Sequence, residues 1–188
     1  MITVISGTNR PNSKTELIAR QCCQLLKSID ENVRYIDLQN LNIDMIGPQM
    51  YLDDGQHPYI AQIQEEILIP SDQWLIVSPE YNGSFPGILK LFIDALSVRR
   101  SKETFSSKRA ALIGVATGRA GNFRGMEHLT GILNYLNVIV MPNKLPISSI
   151  HHFLGSAGEP DVETNELLLQ FVKEMVQFNE NFREQALY

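Results

Sequence analysis

The 188-residue sequence contains no long hydrophobic run and almost no cysteine. No stretch approaches the roughly 18 consecutive apolar residues of a membrane-spanning helix, so we expect no association with a membrane. The two cysteines, Cys22 and Cys23, are adjacent, a spacing that rarely supports a disulfide and does not match a set of zinc ligands. The N-terminal stretch MITVISGTNR lacks the basic region of a secretory signal. These absences predict a cytoplasmic protein without a bound metal.

The sequence also lacks a strong excess of either charge. Its formal net charge is -5 at pH 7, with 16 Lys and Arg residues against 21 Asp and Glu residues. Binding to nucleic acid or to an anionic membrane surface requires a basic patch, so we expect neither. There is no internal repeat and no low-complexity linker, and the length suits a single domain that spans 1–188.

Short apolar runs alternate with segments of helical periodicity along the whole chain. The runs are near-continuous in Ile, Val and Leu, which is typical of strands covered on both faces. They lie at 2–6, 33–38, 74–78, 110–116 and 137–141. Helical patterns begin near Ser13 and recur around 60–68, 86–97, 124–136 and 160–184. This alternation predicts a parallel α/β sheet with right-handed crossovers.

Five strands in a chain of this length predict a flavodoxin-like three-layer sandwich, with a five-stranded parallel sheet in the order 2-1-3-4-5. A dinucleotide-binding fold would need a sixth strand and more chain. Ligands of such sheets bind at the carboxyl ends of the strands, so we expect function in the loops after strands 1, 3 and 4. The segment 39–57 is long for a connection and is either a lid or part of a subunit contact.

The loop after the first strand reads SGTNRPNSKT at 6–15 and is rich in short polar side chains. Arg10 adds a charged planar group suited to phosphate, and the helix beginning near Ser13 directs its free N–H groups to the same place. Ser13 followed by Glu16 is also a capping box, which explains those two residues but not Arg10. Neither GxxxxGK[ST] nor GxGxxG is present, which disfavours ATP hydrolysis and Rossmann-type NAD binding. Phosphate binding is the interpretation that uses all of these groups.

The loop after the third strand begins SPEYNGS at 78–84. Pro79 ends the strand, Gly83 permits a tight turn, and Ser84 can cap the next helix. A turn and a cap do not explain residues 80–82, because shorter turns exist. A loop that wraps a flat heterocycle needs exposed backbone groups and a ring to pack against, and these residues supply both.

The pair SGTNRPNSKT at 6–15 and SPEYNGSFPGILKLFIDAL at 78–96 resembles the NAD(P)H-dependent FMN reductase family. That family is flavodoxin-like and includes azoreductases, quinone reductases and chromate reductases. The resemblance implies an oxidoreductase that passes hydride from NADPH or NADH to bound FMN and then to a quinone, an azo compound, free flavin or a similar acceptor. One site shared by donor and acceptor implies ping-pong kinetics. No side chain is expected to be catalytic, because the flavin carries the chemistry.

The resemblance also implies which residues hold the cofactor. Those expected at the FMN phosphate are Thr8, Arg10, Ser13, Lys14 and Thr15. Those expected along the isoalloxazine ring and ribityl chain are Pro79, Glu80, Tyr81, Asn82, Gly83 and Ser84. Those expected at the pyrimidine end, in the glycine-rich loop after the fourth strand, are Thr117, Gly118, Gly121 and Asn122. Many relatives have two consecutive glycines in this last loop, whereas here Asn122 follows Gly121.

Some roles stay open at the level of sequence. Arg119 and Arg124 either meet a phosphate of the nicotinamide dinucleotide or are solvated. The helical segment at 86–97 is apolar around most of its circumference, so either a second subunit or the chain's own 39–57 segment covers it. The family commonly forms homodimers, often paired into homotetramers, through this helix and the next. The resemblance therefore implies a homodimer or a dimer of dimers.

A different class of function is also consistent with an FMN-binding sequence. A flavodoxin-type electron carrier, or an FMN-binding module without turnover, would have the same fold. Carriers of this type are usually more acidic than this chain and lack an arginine in the first loop. The sequence therefore favours the reductase over the carrier.

Overall fold

A parallel β-sheet runs through the centre of the protein. The computed structural model describes residues 1–29, 32–155 and 158–185. Its strands are β1 (Ile2–Ser6), β2 (Val33–Asp37), β3 (Gln73–Pro79), β4 (Arg109–Val115), β5 (Ile139–Val140) and β6 (Leu145–Ile147). They lie in the order β2-β1-β3-β4-β5, and β6 also pairs with β4. The strand order predicted from the sequence is therefore confirmed.

The fifth position of the sheet is divided between two short strands. β5 pairs with the beginning of β4, and β6 pairs with its end. Between them, Pro142 lacks the N–H group that would continue the ladder. The strand expected at 137–141 is therefore shorter than predicted, and the chain leaves the sheet and rejoins it.

Helices cover both faces of the sheet. They are α1 (Lys14–Ser28), α2 (Pro58–Ile63), α3 (Gly87–Ser97), α4 (Ser101–Phe105), α5 (Phe123–Tyr135) and α6 (Val162–Gln185), and a π-helical turn over Gln64–Leu68 continues α2. Each helical pattern in the sequence corresponds to one of these helices. The short α4 is not predicted, because so few residues cannot show helical periodicity. Within the described residues, no helix has both the length and the apolar character to span a bilayer.

Two apolar layers explain why the strands are almost continuously hydrophobic. On one face, Val4 of β1 packs in a cluster with Ile18 of α1 and Val172 of α6. On the other face, the next residue, Ile5, belongs to a cluster that includes Phe92 of α3 and further residues of α2 and α5. Successive strand residues point to opposite faces, so the central strands β1, β3 and β4 need apolar side chains at most positions. The flavodoxin-like three-layer sandwich is confirmed.

The 39–57 segment folds back over α3. It contains short 3₁₀ turns at Leu38–Asn40, Ile43–Met45 and Pro48–Tyr51. Its buried residues Ile46 and Met50 belong to the apolar cluster around α3. Gln56 then donates from Nε2 to the carbonyl of Ala95 at 2.9 Å. The chain's own segment therefore covers part of α3, one of the two coverings considered from the sequence, while Lys90 and Asp94 stay partly exposed.

Candidate functional site

A cavity of about 490 Å³ lies at the carboxyl edge of the sheet, between the loops that follow β1 and β3. These two strands are neighbours although their numbers are not consecutive, so the cavity lies at the expected switch point. Its volume suits a small organic ligand. The lining residues are Thr8, Arg10, Pro11, Asn12, Ser13, Lys14, Thr15, Pro79, Glu80, Tyr81, Val115, Ala116, Thr117 and Ile150.

The loop after β1 turns sharply at a glycine. The Gly7 N–H donates to the carbonyl of Val77 on β3 at 2.8 Å. A Cβ at this position would lie 2.9 Å from the same carbonyl oxygen, so no larger residue fits without displacing the backbone. Thr8 follows, is buried, and accepts a hydrogen bond from the Arg10 N–H at 3.2 Å. The glycine thus brings this polar loop against the end of β3.

The N-terminus of α1 bounds the cavity at the end formed by the loop after β1. Ser13 caps the helix and accepts from the Glu16 N–H at 3.1 Å. The Glu16 carboxylate accepts from Arg20 Nε at 2.8 Å. The structure thus shows the Ser13 half of the predicted capping box, and the Glu16 side chain serves an ion pair. The first residues of the helix, Lys14 and Thr15, line the cavity.

The donor set at this end suits a phosphate group. Hydroxyl groups of Thr8, Ser13 and Thr15 and two cationic side chains surround the N-terminus of α1. The described part of the chain offers no hydrogen-bonding or ion-pair partner to the Arg10 guanidinium, which is exposed at the cavity. An unpaired arginine beside a helix N-terminus is complementary to a dianion.

The loop after β3 is a tight hairpin. The Tyr81 N–H donates to the Ser84 carbonyl at 2.8 Å, and the Ser84 N–H donates back to the Tyr81 carbonyl at 3.1 Å. Asn82 and Gly83 at its tip have φ values of 52° and 76°. Asn-Gly with two positive φ angles is the signature of a type I′ turn. We call residues 78–84 the ring loop, after the ligand group expected there.

The hairpin determines which backbone groups a ligand can use. The Glu80 N–H already donates to the carbonyl of Val115 at 3.0 Å, and Tyr81 donates within the hairpin. Within the described residues, no acceptor takes the N–H groups of Asn82 and Gly83. These two residues do not line the cavity in the structure, whereas Pro79, Glu80 and Tyr81 do.

The expectation that Ser84 caps α3 is wrong. The residue before the helix is Pro86, and no side chain caps it. Ser84 Oγ instead lies 2.9 Å from His128 Nδ1 on α5. The Thr8 and Tyr81 hydroxyls lie 3.1 Å apart and connect the ring loop with the loop after β1.

The loop after β4 matches the prediction only in part. Thr117 lines the cavity together with Val115 and Ala116, whereas Gly118, Gly121 and Asn122 do not. Gly121 is buried with a φ of 55°, and an added Cβ would lie 2.7 Å from Pro146.

The side chain of Asn122 faces away from the cavity. It is fully buried and directed at the end of β3, so it is a structural contact and not a ligand for the cavity. Arg119 and Arg124 are exposed. Arg124 Nη1 lies 3.1 Å from where a Cβ on Gly83 would be, so this arginine lies beside the tip of the ring loop.

Several lining residues carry no signal in the sequence. Ile150 follows β6, and it reaches the cavity because its N–H donates to the carbonyl of Ala116 at 3.0 Å. Pro11, Asn12 and Val115 also line it without a predicted role. Nothing in the apolar side chain of Ile150 marks it as a site residue. Knowing that β6 lies beside β4 would have suggested it.

Other candidate chemistry is absent from the described residues. No three His, Cys, Asp or Glu side chains among them come together as a metal site. Cys22 is fully buried on α1, and burial raises the pKa of its thiol well above the ordinary value. A thiol of this kind is inert.

Comparisons with known proteins identify the family of this chain. The model of the NADPH-dependent FMN reductase family matches residues 1–152. The chain is 31% identical over 140 residues to a 2-hydroxy-1,4-benzoquinone reductase of a Burkholderia species, covering 74% of this chain and 73% of that one. It is 27% identical over 188 residues to an FMN-dependent NADPH-azoreductase of Staphylococcus aureus, covering 95% and 94%.

Among solved structures, the chain resembles FerB, a flavoenzyme NAD(P)H:(acceptor) oxidoreductase of Paracoccus denitrificans. The TM-score is 0.73 at 21% identity, over 96% of this chain and 97% of that one. At this identity, the likeness shows a shared fold.

Proposed function

Because the chain belongs to the NADPH-dependent FMN reductase family, we propose that it binds FMN in the cavity between the loops after β1 and β3. We further propose that it reduces a quinone, an azo compound, free flavin or a similar small acceptor at the expense of NADPH or NADH by a ping-pong mechanism. The observation that carries the proposal is the polarity of the cavity. Its lining combines hydroxyl groups, two cationic side chains and a helix N-terminus with Tyr81 of the tight backbone turn, and the Tyr81 hydroxyl lies 3.1 Å from that of Thr8.

The phosphate would bind at the N-terminus of α1. Thr8, Ser13 and Thr15 would donate hydroxyl hydrogen bonds, and Arg10 and Lys14 would neutralise the charge. Because Gly7 holds this loop against β3, the phosphate site and the ring site have a fixed separation. Affinity for the phosphate would therefore orient the rest of the cofactor.

The isoalloxazine ring would lie along Pro79, Glu80, Tyr81 and Thr117. These residues would position the ring and exclude water, whereas FMN, when bound, would supply the redox chemistry between the nicotinamide and the acceptor. Asn82 and Gly83 lie outside the cavity lining, and their N–H groups, which have no acceptor among the described residues, would bind a polar atom of the ring that extends past Tyr81. Donor and acceptor would use the same side of the cavity in turn, which is why we propose ping-pong kinetics.

Absorbance and turnover measurements test this function. Purified protein reconstituted with FMN should oxidise NADPH or NADH when 1,4-benzoquinone, an azo dye or free FMN is supplied. Double-reciprocal plots at several acceptor concentrations should give parallel lines. Flavin bands without turnover of any donor and acceptor pair would instead favour an electron carrier or a non-catalytic FMN-binding module.

We also propose that the protein forms a homodimer or a dimer of dimers in the cytoplasm. A groove of about 370 Å³ between α3 and α5 supports this, because apolar Ile93, Ile132 and Leu136 line it. Tyr135 at its border is 86% exposed. Light scattering should give at least twice the monomer mass, and Tyr135→Glu should shift the mass towards the monomer. A wild-type monomer mass would remove the proposal.

A further inference from the structure

Asn122 is a fully enclosed polar side chain near the cavity. It is 0% exposed. Its Nδ2 group donates to the carbonyl of Ser78 at 3.0 Å and to the carbonyl of Pro79 at 2.9 Å, and it lies 3.3 Å from Ser78 Oγ. Both carbonyls belong to the end of β3, where the ring loop begins. The amide therefore joins the loop after β4 to the loop after β3.

Two glycines make room for this side chain. A Cβ on Gly114 of β4 would lie 3.0 Å from Asn122 Cβ, and a Cβ on Gly125 of α5 would lie 2.1 Å from Asn122 Oδ1. Asn122 itself has a φ of 60°, in the left-handed region that asparagine tolerates better than most residues. Its Oδ1 is buried without a hydrogen-bonding partner in the described residues, so the N–H donors are the groups that the structure uses.

The β3–β4 ladder pairs Ser78 with Gly114 and Pro79 with Val115, and three further attachments within the described residues join the ring loop to the β4–α5 unit. The Glu80 N–H donates to the Val115 carbonyl, the Asn122 amide holds the carbonyls before it, and Ser84 contacts His128. Asn122 supplies a buried side-chain attachment, to the carbonyls of Ser78 and Pro79 at the start of the loop. Water competes least for a hydrogen bond in such a place.

We propose that Asn122 is a positioning residue for the FMN site. It does not touch the cavity, and it acts by fixing where the ring loop leaves β3, so that the loop is already ordered before the cofactor enters. This inference rests on the proposed binding of FMN in that cavity. A loop that is preorganised loses less conformational entropy on binding, so the attachment contributes to affinity.

Two substitutions distinguish the effect of the Asn122 carboxamide from the effect of the left-handed backbone conformation at this position. Asn122→Gly keeps the left-handed conformation without strain and removes the donors. Asn122→Asp keeps the shape of the side chain but places a carboxylate, which cannot donate a hydrogen bond, against the carbonyls of Ser78 and Pro79. We expect the Kd for FMN to rise about tenfold in Asn122→Gly, and further in Asn122→Asp. If Asn122→Asp fails to fold, Asn122→Gly decides alone.

Asn137→Gly is the matched control. Asn137 is also a left-handed asparagine, with a φ of 64°, but it is exposed beyond the other end of α5. The same change there alters the backbone entropy without removing a buried donor. We expect the Kd for FMN to stay within twofold of the wild-type value.

Amide hydrogen exchange supplies a readout that does not need the cofactor. In FMN-free protein, the Tyr81 and Ser84 amides should exchange about tenfold faster in Asn122→Gly than in wild type or in Asn137→Gly. Unchanged exchange at these two amides and an unchanged Kd, with only a lower melting temperature, would overturn the proposal in favour of a general structural role. If the wild type itself bound no FMN, the proposed function would fail, while the exchange rates would still decide whether Asn122 orders the loop.

Discussion

Polar groups at the two edges of the sheet differ in burial and in hydrogen bonding. At the amino edge, where the strands begin, polar side chains are buried and paired. Gln64 Nε2 lies within 2.8 Å of the carbonyls of Leu96 and Arg99 and of the Thr104 hydroxyl. Lys108 donates to the carbonyls of the chain before β3, at 2.6 and 2.7 Å. Within the described residues these contacts stabilise the fold, and the polar atoms without a partner at the start of β3, Gln73 Oε1 and Trp74 Nε1, are buried where a ligand cannot reach them.

At the carboxyl edge, polar groups surround an open cavity. The Arg10 guanidinium has no partner among the described residues, and the N-terminus of α1 is capped by Ser13 alone. Groups left without partners lower stability slightly but remain available to a ligand. The comparison indicates that changes at the amino edge should alter stability without altering FMN binding, and that changes at the carboxyl edge should do the reverse.

Gln64→Ala should have the largest effect of the predicted changes. It should lower the stability of the protein without lowering its affinity for FMN. The substitution leaves two buried carbonyls and a hydroxyl without their donor and opens a cavity, so we expect a loss of about 3 kcal/mol in the free energy of unfolding. Urea unfolding of the FMN-free protein measures this. The Kd for FMN, taken where the variant is folded, should stay within twofold of wild type.

Gln62→Ala is the control for the amino edge. Gln62 lies on the same helix but is exposed and contacts only Glu66 within the described residues, so its replacement should cost less than about 0.5 kcal/mol. A large loss of FMN affinity in Gln64→Ala would show that the two edges are coupled, contrary to the comparison.

Arg10→Ala should have the opposite profile. Loss of a charge-assisted contact with the phosphate should raise the Kd for FMN by about 10- to 100-fold, with almost no change in the melting temperature of the FMN-free protein. Riboflavin, which has no phosphate, should bind the variant and the wild type equally. Arg34→Ala, at an exposed arginine on β2, should change neither Kd. Equal losses of affinity for FMN and for riboflavin would show that Arg10 does not bind the phosphate.

Tyr81→Phe tests the hydroxyl contact between the loops after β1 and β3. Removing it should lower the free energy of unfolding by less than about 1 kcal/mol and raise the Kd for FMN about threefold, since the ring loop loses its connection to Thr8. Tyr51→Phe, at an exposed tyrosine, is the matched control. Tighter FMN binding by Tyr81→Phe would mean that the Tyr81 hydroxyl occupies space that the cofactor needs.

The sequence predicted those parts of the site that depend on local pattern. Apolar runs gave the strand order, and the polar residues after β1 and β3 identified the two loops that line the cavity. Ser13 caps α1 as predicted, because a cap needs only residues three apart in the chain. Asn82-Gly83 forms a tight turn for the same local reason.

Contacts between distant residues could not be predicted in this way. Ser84 had a plausible local role as a cap, but its partner is His128, far along the chain on α5. The buried contact of Asn122 with the end of β3 depends on space left by Gly114 and Gly125. A hydroxyl or an amide can satisfy several partners, and only the packing of the elements selects one.

The smallest effect that we predict concerns Asp37, at the carboxyl end of β2 outside the cavity. Burial raises the pKa of this carboxyl, although the Gln39 N–H and Arg20 oppose the shift. A raised pKa in the folded chain means that the folded state binds the proton more tightly, so stability falls as the pH rises from about 3.8 through the folded pKa. Asp37→Asn keeps an acceptor for Gln39 and removes the charge.

Relative to wild type, Asp37→Asn should gain nothing near pH 3.8 and should become the more stable protein as the pH rises to 7, measured by urea unfolding across that range. Asp161→Asn is a control of opposite sign. Hydrogen bonds from Thr164 lower the pKa of Asp161, so its replacement should lower stability at neutral pH, with the deficit closing as the pH falls below about 3.8. If the difference in stability between Asp37→Asn and wild type did not change with pH, the attraction of Arg20 would fully offset the cost of burying the Asp37 carboxylate. Polar groups at the carboxyl edge would then be better paired around β2 than around the cavity.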